Sequence, residues 1–383
     1  MRMAEQGDHG DSGDRTARQD DVPAYRTIRV TALEQPVAAL ADVEAWRARD
    51  TYPDIRFAGG PVFGVARERE EGGWELHPYF CGLTPQDARD SLGSHFRMLA
   101  REAERAGDGV AREAAAWAVE RMDREPLDEL TVRGDRYRVV RAERFIRTGP
   151  DGPEPPRPTD LDPGEVGRAR EVPDPTAGFV VDPVNATGMS EGILKLELLG
   201  GLRPKDSVPP EVRADALRAA ETHPGGVLLP ATFMTAEYEE GRWRPESSGI
   251  STTPQDSRDG LALALRVMMP WQLGLGPEAQ REYARAADRL DAERADELEV
   301  AGRRFRTVRV ERLVRIGADG PEGPRPSDPD PDPPPGVHAE QLRAQGLLDD
   351  DEDEPLELDE QTQELARRFE EEALRRRKLL GEA

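Results

Sequence analysis

Residues 128–163 recur without a gap at 296–331, and 23 of those 36 positions are identical. No other feature constrains the fold as much, because a segment written twice has to serve the same folding unit twice. The match extends upstream. Thr84-Pro-Gln-Asp-Ala-Arg-Asp answers to Thr253-Pro-Gln-Asp-Ser-Arg-Asp, Glu70-Glu-Gly-Gly-Trp to Glu239-Glu-Gly-Arg-Trp and, more weakly, Arg47-Ala-Arg-Asp-Thr-Tyr-Pro to Arg218-Ala-Ala-Glu-Thr-His-Pro. Each copy is then a unit of roughly 140 residues, an ordinary domain size. Two copies at so long a period suggest tandem domains rather than a solenoid. The chain divides into a disordered acidic N-terminus (1–24), a first repeat (25–163), a linker (164–176), a second repeat (177–331), an acidic disordered linker (332–359) and a charged C-terminal helix (360–383).

Within each copy the hydrophobic pattern predicts short strands at 27–31 and 194–198, and helices at 37–49 and 211–221. A hairpin follows, 62–66 with a strand led by Trp74 in one copy and 231–238 with Trp243 in the other. Thr84 and Thr253 each precede a proline and stand three residues before an aspartate, the pattern of a capped helix start. Helices at 111–122 and 277–290 lead into a closing hairpin that turns at Gly134 or Gly302. The fold class is α+β, two tandem pseudo-symmetric repeats. Each copy ends in a proline-rich exit, 149–160 and 317–328, whose Asp-Gly-Pro-Glu and Pro-Arg-Pro stay in register. A free linker has no reason to keep them, so each exit is expected to lie against its own domain, with flexible chain beginning after Pro163 and Pro331.

The net charge of −24 is concentrated at the ends: residues 327–360 hold 13 acids against one base, and residues 1–24 hold six acids against three arginines. The run Asp349-Asp-Asp-Glu-Asp-Glu repels itself and is predicted to be solvated. Beyond it, Glu364 with Arg368 and Glu372 with Arg376 are i,i+4 pairs that support the C-terminal helix. A single cysteine, Cys81, allows neither an intrachain disulfide nor a cysteine zinc site. The first residues lack the apolar stretch of a secretory signal, and the longest apolar run, 261–276, is interrupted by Arg266 and Pro270. A cytoplasmic protein without membrane association is expected.

The duplication also filters candidate sites, since a residue needed by both copies appears in both. His77 falls opposite Glu246, Cys81 opposite Ile250 and His95 opposite Ala264. Cys81 is therefore read as a small buried residue at a strand end rather than as a nucleophile. The five histidines show no metal-ligand spacing. Asp328-Pro-Asp-Pro-Asp resembles the opening of a calcium loop, but Pro333 stands where glycine must turn and Ala339 where glutamate must close. No phosphate-cradling loop, dinucleotide fingerprint or nucleophile elbow is present, so no catalytic residue, cofactor or metal ligand is assigned. Asp87, Arg89 and Asp90, matched by Asp256, Arg258 and Asp259, pass the filter. Capping accounts for Asp87 and leaves Arg89 less well explained.

The strongest unusual feature is arginine. Arg136, Arg138, Arg141, Arg144 and Arg147 have counterparts in Arg304, Arg306, Arg309, Arg312 and Arg315, and together they form the candidate binding surface. Strands so rich in arginine suit anions or nucleic-acid phosphates. A period of two puts Arg136, Arg138 and Arg144 on one face and Arg141 and Arg147 on the other. Pairing with Glu143, Glu311 and other local acids is the plainer reading. A sharper expectation has the acidic run at 349–354 folding back on these strands to compete with an anionic partner.

The string Tyr137-Arg-Val-Val-Arg-Ala-Glu-Arg-Phe-Ile-Arg-Thr-Gly-Pro-Asp-Gly-Pro-Glu-Pro-Pro-Arg-Pro, with Thr84-Pro-Gln-Asp-Ala-Arg-Asp before it, resembles an uncharacterised actinobacterial family of unknown function over residues 25–331. The resemblance implies a bacterial, cytoplasmic protein and brings no activity, ligand or catalytic residue with it. The sequence reads as a non-enzymatic binding or regulatory protein with a protein partner. The alternatives are an anion or nucleic-acid binder controlled by the acidic tail, and an enzyme with a site between the domains. An exposed apolar patch favours the first, a continuous basic face the second, and shared polar residues in a concave pocket the third.

Overall fold

A computed structural model describes residues 22–201, 207–245, 250–348 and 359–381. The first copy runs α1 (Pro36–Thr51), β1 (Asp54–Phe57), β2 (Val62–Glu68), β3 (Trp74–Leu76), α2 (Pro85–Ala106), α3 (Gly109–Arg124), β4 (Glu129–Val132), β5 (Asp135–Gly149) and β6 (Gly152–Pro153). A connecting segment carries β7 (Val180–Val181) and α4 (Met189–Gly200). The second copy follows with α5 (Pro210–Thr222), β8 (Gly225–Glu239), β9 (Arg242–Pro245), α6 (Pro254–Leu263), α7 (Met269–Gln272), α8 (Pro277–Glu293), β10 (Glu297–Val300), β11 (Arg303–Gly317) and β12 (Gly320–Pro321). Two further helices are α9 (Pro335–Ala344) and α10 (Glu360–Leu379).

Local chemistry explains these elements. Thr84 accepts from the Asp87 amide and Asp87 closes the capping box at α2, while Thr253 accepts from Asp256 at α6. The β4–β5 and β10–β11 turns place Arg133 with Gly134, and Ala301 with Gly302, at positive φ, as a two-residue type I′ hairpin requires. Leu92 and Phe96 of α2 pack with Met122, Val132 and Tyr137. In the second copy Leu261, Leu265 and Leu290 pack with Leu298 and Phe305. The apolar run is thus helix from Leu261 to Gln272, passing through a π-helical turn at Ala264–Met268 just before Pro270. Among the described residues no helix is long and apolar enough to cross a membrane.

The described residues form an α+β fold around one 12-stranded antiparallel sheet, ordered β7-β3-β2-β5-β11-β8-β9 along its main path. The copies share this sheet instead of each closing its own. At the seam β5 pairs with β11, with Arg144 opposite Arg312, Glu143 opposite Leu313 and Phe145 opposite Glu311. Arg144 and Arg312 are counterparts in the duplication, so each copy meets its equivalent directly across the join. One face buries Val140, Ala142, Val314 and Ile316 beneath Trp74. On the other, Phe145 and Leu313 pack under Leu194 and Leu198 of α4.

Several expectations are corrected. Residues 194–198 lie in α4: Leu194 and Leu198 are one helical turn apart, a spacing that alternation also satisfies. Residues 27–31 make only a single bridge, Val30 with Thr187. The proline-rich exits begin against their own copies, Gly152-Pro153 pairing with β5 and Gly320-Pro321 with β11, but do not stay there. The Arg309 amide donates to Glu154 O and the Arg141 amide to Glu322 O, both at 2.9 Å, so each exit crosses to the other copy. The cause is the antiparallel seam, which sets the end of each long strand beside the start of the other. Gly152 then packs against Trp243, and Gly320 against Trp74, where a Cβ would collide with the indole.

The linker at 164–176 is packed as well, with the Gly167 amide donating to Asp259. The segment expected to be a disordered acidic linker contains α9. The C-terminal helix α10 rests on the second copy: its Glu372 is buried beside Arg266, and Arg375 pairs with Asp291 at 3.2 Å. The acidic run at 349–354 and residues 1–21 lie outside the described residues.

Candidate functional site

The ten arginines of the candidate surface do not make an open basic face. Arg304 is exposed, Arg136 and Arg309 are half-buried, and the other seven are buried. On the tryptophan side, Arg136 and Arg138 lie over the Trp74 ring at 5.3 and 4.8 Å, and Arg304 and Arg306 over Trp243 at 5.2 and 4.8 Å. Arg138 pairs with Glu129 at 2.8 Å and with Asp319 of the opposite exit at 2.5 Å. Hydrogen bonds from Arg136 and Arg138 hold the Asp319 carboxyl down at about 2. Arg306 donates to Pro153 O at 2.7 Å. At the join itself, Arg144 Nε donates to Gly60 O at 2.9 Å, and Arg312 donates to Pro230 O at 2.8 Å and Phe80 O at 2.9 Å. Burial pushes Arg312 down to about 10.

The helix side of the seam carries two cavities. The first, about 330 Å³, is lined by Phe57, Phe145, Leu198, Val212, Leu313 and Arg315, with Arg141, Glu143, Arg325 and Asp328 along one wall. The second, about 430 Å³, is lined by Ala41, Arg49, Arg147, Leu194 and Leu228, with Arg309, Glu311 and Arg157 on the matching wall. Helix α4 stands between them and contributes to both.

The polar walls are equivalent residue for residue. Arg141 Nη1 donates to Glu143 at 2.8 Å and Nε to Asp328 at 2.8 Å; Arg325 donates to Glu143 at 3.2 Å and to Glu322 at 2.6 Å. Across the seam, Arg309 donates to Glu311 and, at 3.0 Å, to Asp160, while Arg157 reaches Glu154 at 2.6 Å and Glu311 at 3.5 Å. Burial alone would raise Glu311, but Arg309 and Arg157 outweigh it and hold the carboxyl below its usual range. The same balance keeps Arg309 firmly protonated, since Glu311 and Asp160 more than offset its desolvation.

The duplicated Asp–Arg–Asp cluster clamps the exits. Arg89 pairs with Asp128 at 2.7 Å and with Asp330, two residues past the second exit, at 2.5 Å. Arg258 pairs with Asp296 at 2.8 Å and with Asp162, two residues past the first exit. Asp90 accepts from Gln86 and Asp259 from Gln255, both at 2.8 Å. The calcium-like string is thereby consumed, Asp328 by Arg141 and Asp330 by Arg89. Partners within the exits (Glu154, Arg157 and Asp160, with Glu322, Arg325 and Asp328) went unassigned from sequence. The register of Asp-Gly-Pro-Glu and Pro-Arg-Pro was their signal.

Cys81 is exposed rather than buried, and desolvation of its thiol with the Asp174 carboxylate pushes the pKa up, away from thiolate. His77 and His95 stack edge to face at 4.5 Å, and burial, the His95 ring and Arg67 lower His77 to about 4. Among the described residues no group of histidine, cysteine and carboxylate side chains is placed to hold a metal ion.

No curated protein and no solved structure matches the chain. A family model described as a family of unknown function, DUF5954, matches residues 35–331, and the chain belongs to that family.

Proposed function

We propose that this protein is a non-enzymatic binding protein, a pseudo-symmetric duplicated α+β unit that takes a small ligand in the seam cavities. The observation that carries this reading is that both cavities have an apolar side and a matching polar wall, Arg141, Glu143 and Arg325 in one and Arg309, Glu311 and Arg157 in the other, whose members pair with one another. General base catalysis needs a group able to take a proton near neutral pH. A carboxyl held low between two guanidinium groups, as Glu311 is, does not offer that. An apolar cavity with a few fixed polar groups, near the lower end of the usual size range, suits binding. A protein partner is the second reading, supported by α1, which leaves Val37, Leu40, Val43 and Trp46 exposed.

The test is a ligand-observed NMR screen of small apolar and amphipathic compounds against the full chain and against Ala216→Trp, which fills the first cavity. Binders that disappear in the filled variant, at unchanged circular dichroism, are expected. A screen whose binders ignore the substitution in this cavity, or that finds none, would overturn the reading.

A further inference from the structure

The two cavities differ in one respect that bears on what they hold. Each has a further arginine outside the paired wall, Arg147 in one and its counterpart Arg315 in the other, both buried. Arg147 donates Nη2 to the Glu197 carboxylate of α4 at 3.1 Å. Arg315 forms no ion pair among the described residues, and its side-chain hydrogen bond runs from Nη2 to the Leu199 carbonyl at 2.7 Å. A single helix stands between two equivalent sites: its Glu197 serves Arg147 and leaves Arg315 with a backbone oxygen, while its other glutamate, Glu191, pairs with Lys195.

We propose that the first cavity binds a small monocarboxylate with an apolar body, the carboxylate taking at Arg315 the part that Glu197 plays at Arg147. This rests on the reading of the cavities as ligand sites and names the ligand class. A buried guanidinium without a counter-ion is costly, and a carboxylate meets it with two parallel charge-assisted hydrogen bonds. The surrounding charges leave that place open. Glu143 and Glu322 are engaged by Arg141 and Arg325, and desolvation by burial lowers the Arg315 pKa. Opposite them, Phe57, Phe145, Leu198, Val208, Val212 and Leu313 supply the wall for the apolar body. The second cavity, whose arginine already holds a carboxylate, is not expected to share the preference.

The experiment is isothermal titration of the full chain at pH 7.5 with decanoate, decan-1-ol and inorganic phosphate. Decanoate is expected to bind at least tenfold more tightly than the alcohol, and phosphate not to displace it. In Arg315→Met the ratio of decanoate to alcohol affinity is expected to fall to within about twofold while alcohol binding persists; in Arg147→Met it is unchanged. Equal affinities in the unmodified protein overturn the proposal without any variant, as does displacement by phosphate or a ratio that survives Arg315→Met. If the alcohol binds as well as decanoate and Ala216→Trp abolishes both, the cavity is still a ligand site and only the charge preference falls. If neither probe binds, both readings fall.

Discussion

Trp74 and Trp243 hold the same position in the two copies and live in different surroundings. Trp74 is 5% exposed. β7 adds to its strand, with Val181 opposite it and the Leu76 amide donating to Phe179 O at 2.8 Å. Trp243 is half-buried on β9, where among the described residues no further strand pairs, and a cavity of about 820 Å³ lined by Ile146, Met234 and Arg304 opens beside it. Pro245 stands where Leu76 offers its amide, so this edge lacks a donor that the other uses, which protects it from stray pairing. The duplicated segments supply the frame. What covers each end is decided by the connecting chain, which is present only once.

The contrast is sharpest at the tips of the crossed exits. Gly320 and Gly152 both sit at positive φ, where any side chain is strained, and both face an indole. Trp74 is pinned beneath β7, whereas Trp243 has room to move. Gly320→Ala is therefore expected to cost about 3 kcal/mol and Gly152→Ala about 1–2 kcal/mol, for strain plus overpacking. Urea midpoints at constant slope measure both. Equal losses would break the comparison.

A smaller effect follows from His77, which sits in the first copy only. Its folded pKa of about 4 lies below the ordinary 6.5 because burial, then His95 and Arg67, disfavour the charged ring. Between those values the unfolded chain binds the extra proton, so stability is complete above pH 6.5 and declines as pH falls toward 4. The side chain is partly exposed, and after discounting for solvent the loss is about 1–2 kcal/mol at pH 4.5. Replacing His77 by Gln should flatten that part of the stability profile; an unchanged profile would assign the slope elsewhere.

The least effect is expected at the outer arginines. Arg136 bridges Glu129, Glu68 and Asp319, whereas Arg304 has Glu297. Arg136→Gln should cost about 0.5 kcal/mol at low salt and nothing at 1 M, and Arg304→Gln should be silent throughout. Matching salt dependence in thermal melts would show that the network adds nothing to a single surface pair.

Much of the frame was legible in the sequence because it is local. The caps at Thr84 and Thr253, the turns at Gly134 and Gly302 and the helices α1, α3, α5 and α8 depend on residues within a few positions of one another. The shared sheet was not legible, since alternation in β5 says which side chains share a face and nothing about which strand lies alongside. The onward reach of the exits into the opposite copy was not legible for the same reason. Their register revealed that they bind something, but Asp330 finds Arg89 across 241 positions. The arginine strands were read as a surface because arginine is usually exposed; burial here depends on distant partners, the Asp319 and Asp328 carboxylates for Arg138 and Arg141 and backbone carbonyls for Arg144, Arg312 and Arg315.

That crossing has a consequence in time. Arg89, Arg138 and Arg141 belong to the first copy, yet Asp319, Asp328 and Asp330 are made only when the second is almost finished. At a synthesis rate of roughly 5–20 residues per second, the first copy waits on the order of 10–30 s after its own last strand has emerged. For that interval three cations bound for the interior keep only their first-copy carboxylates, Asp128, Glu129 and Glu143, and lack the second one that each ends with. The last proline-rich residues of the second copy are therefore what complete the first.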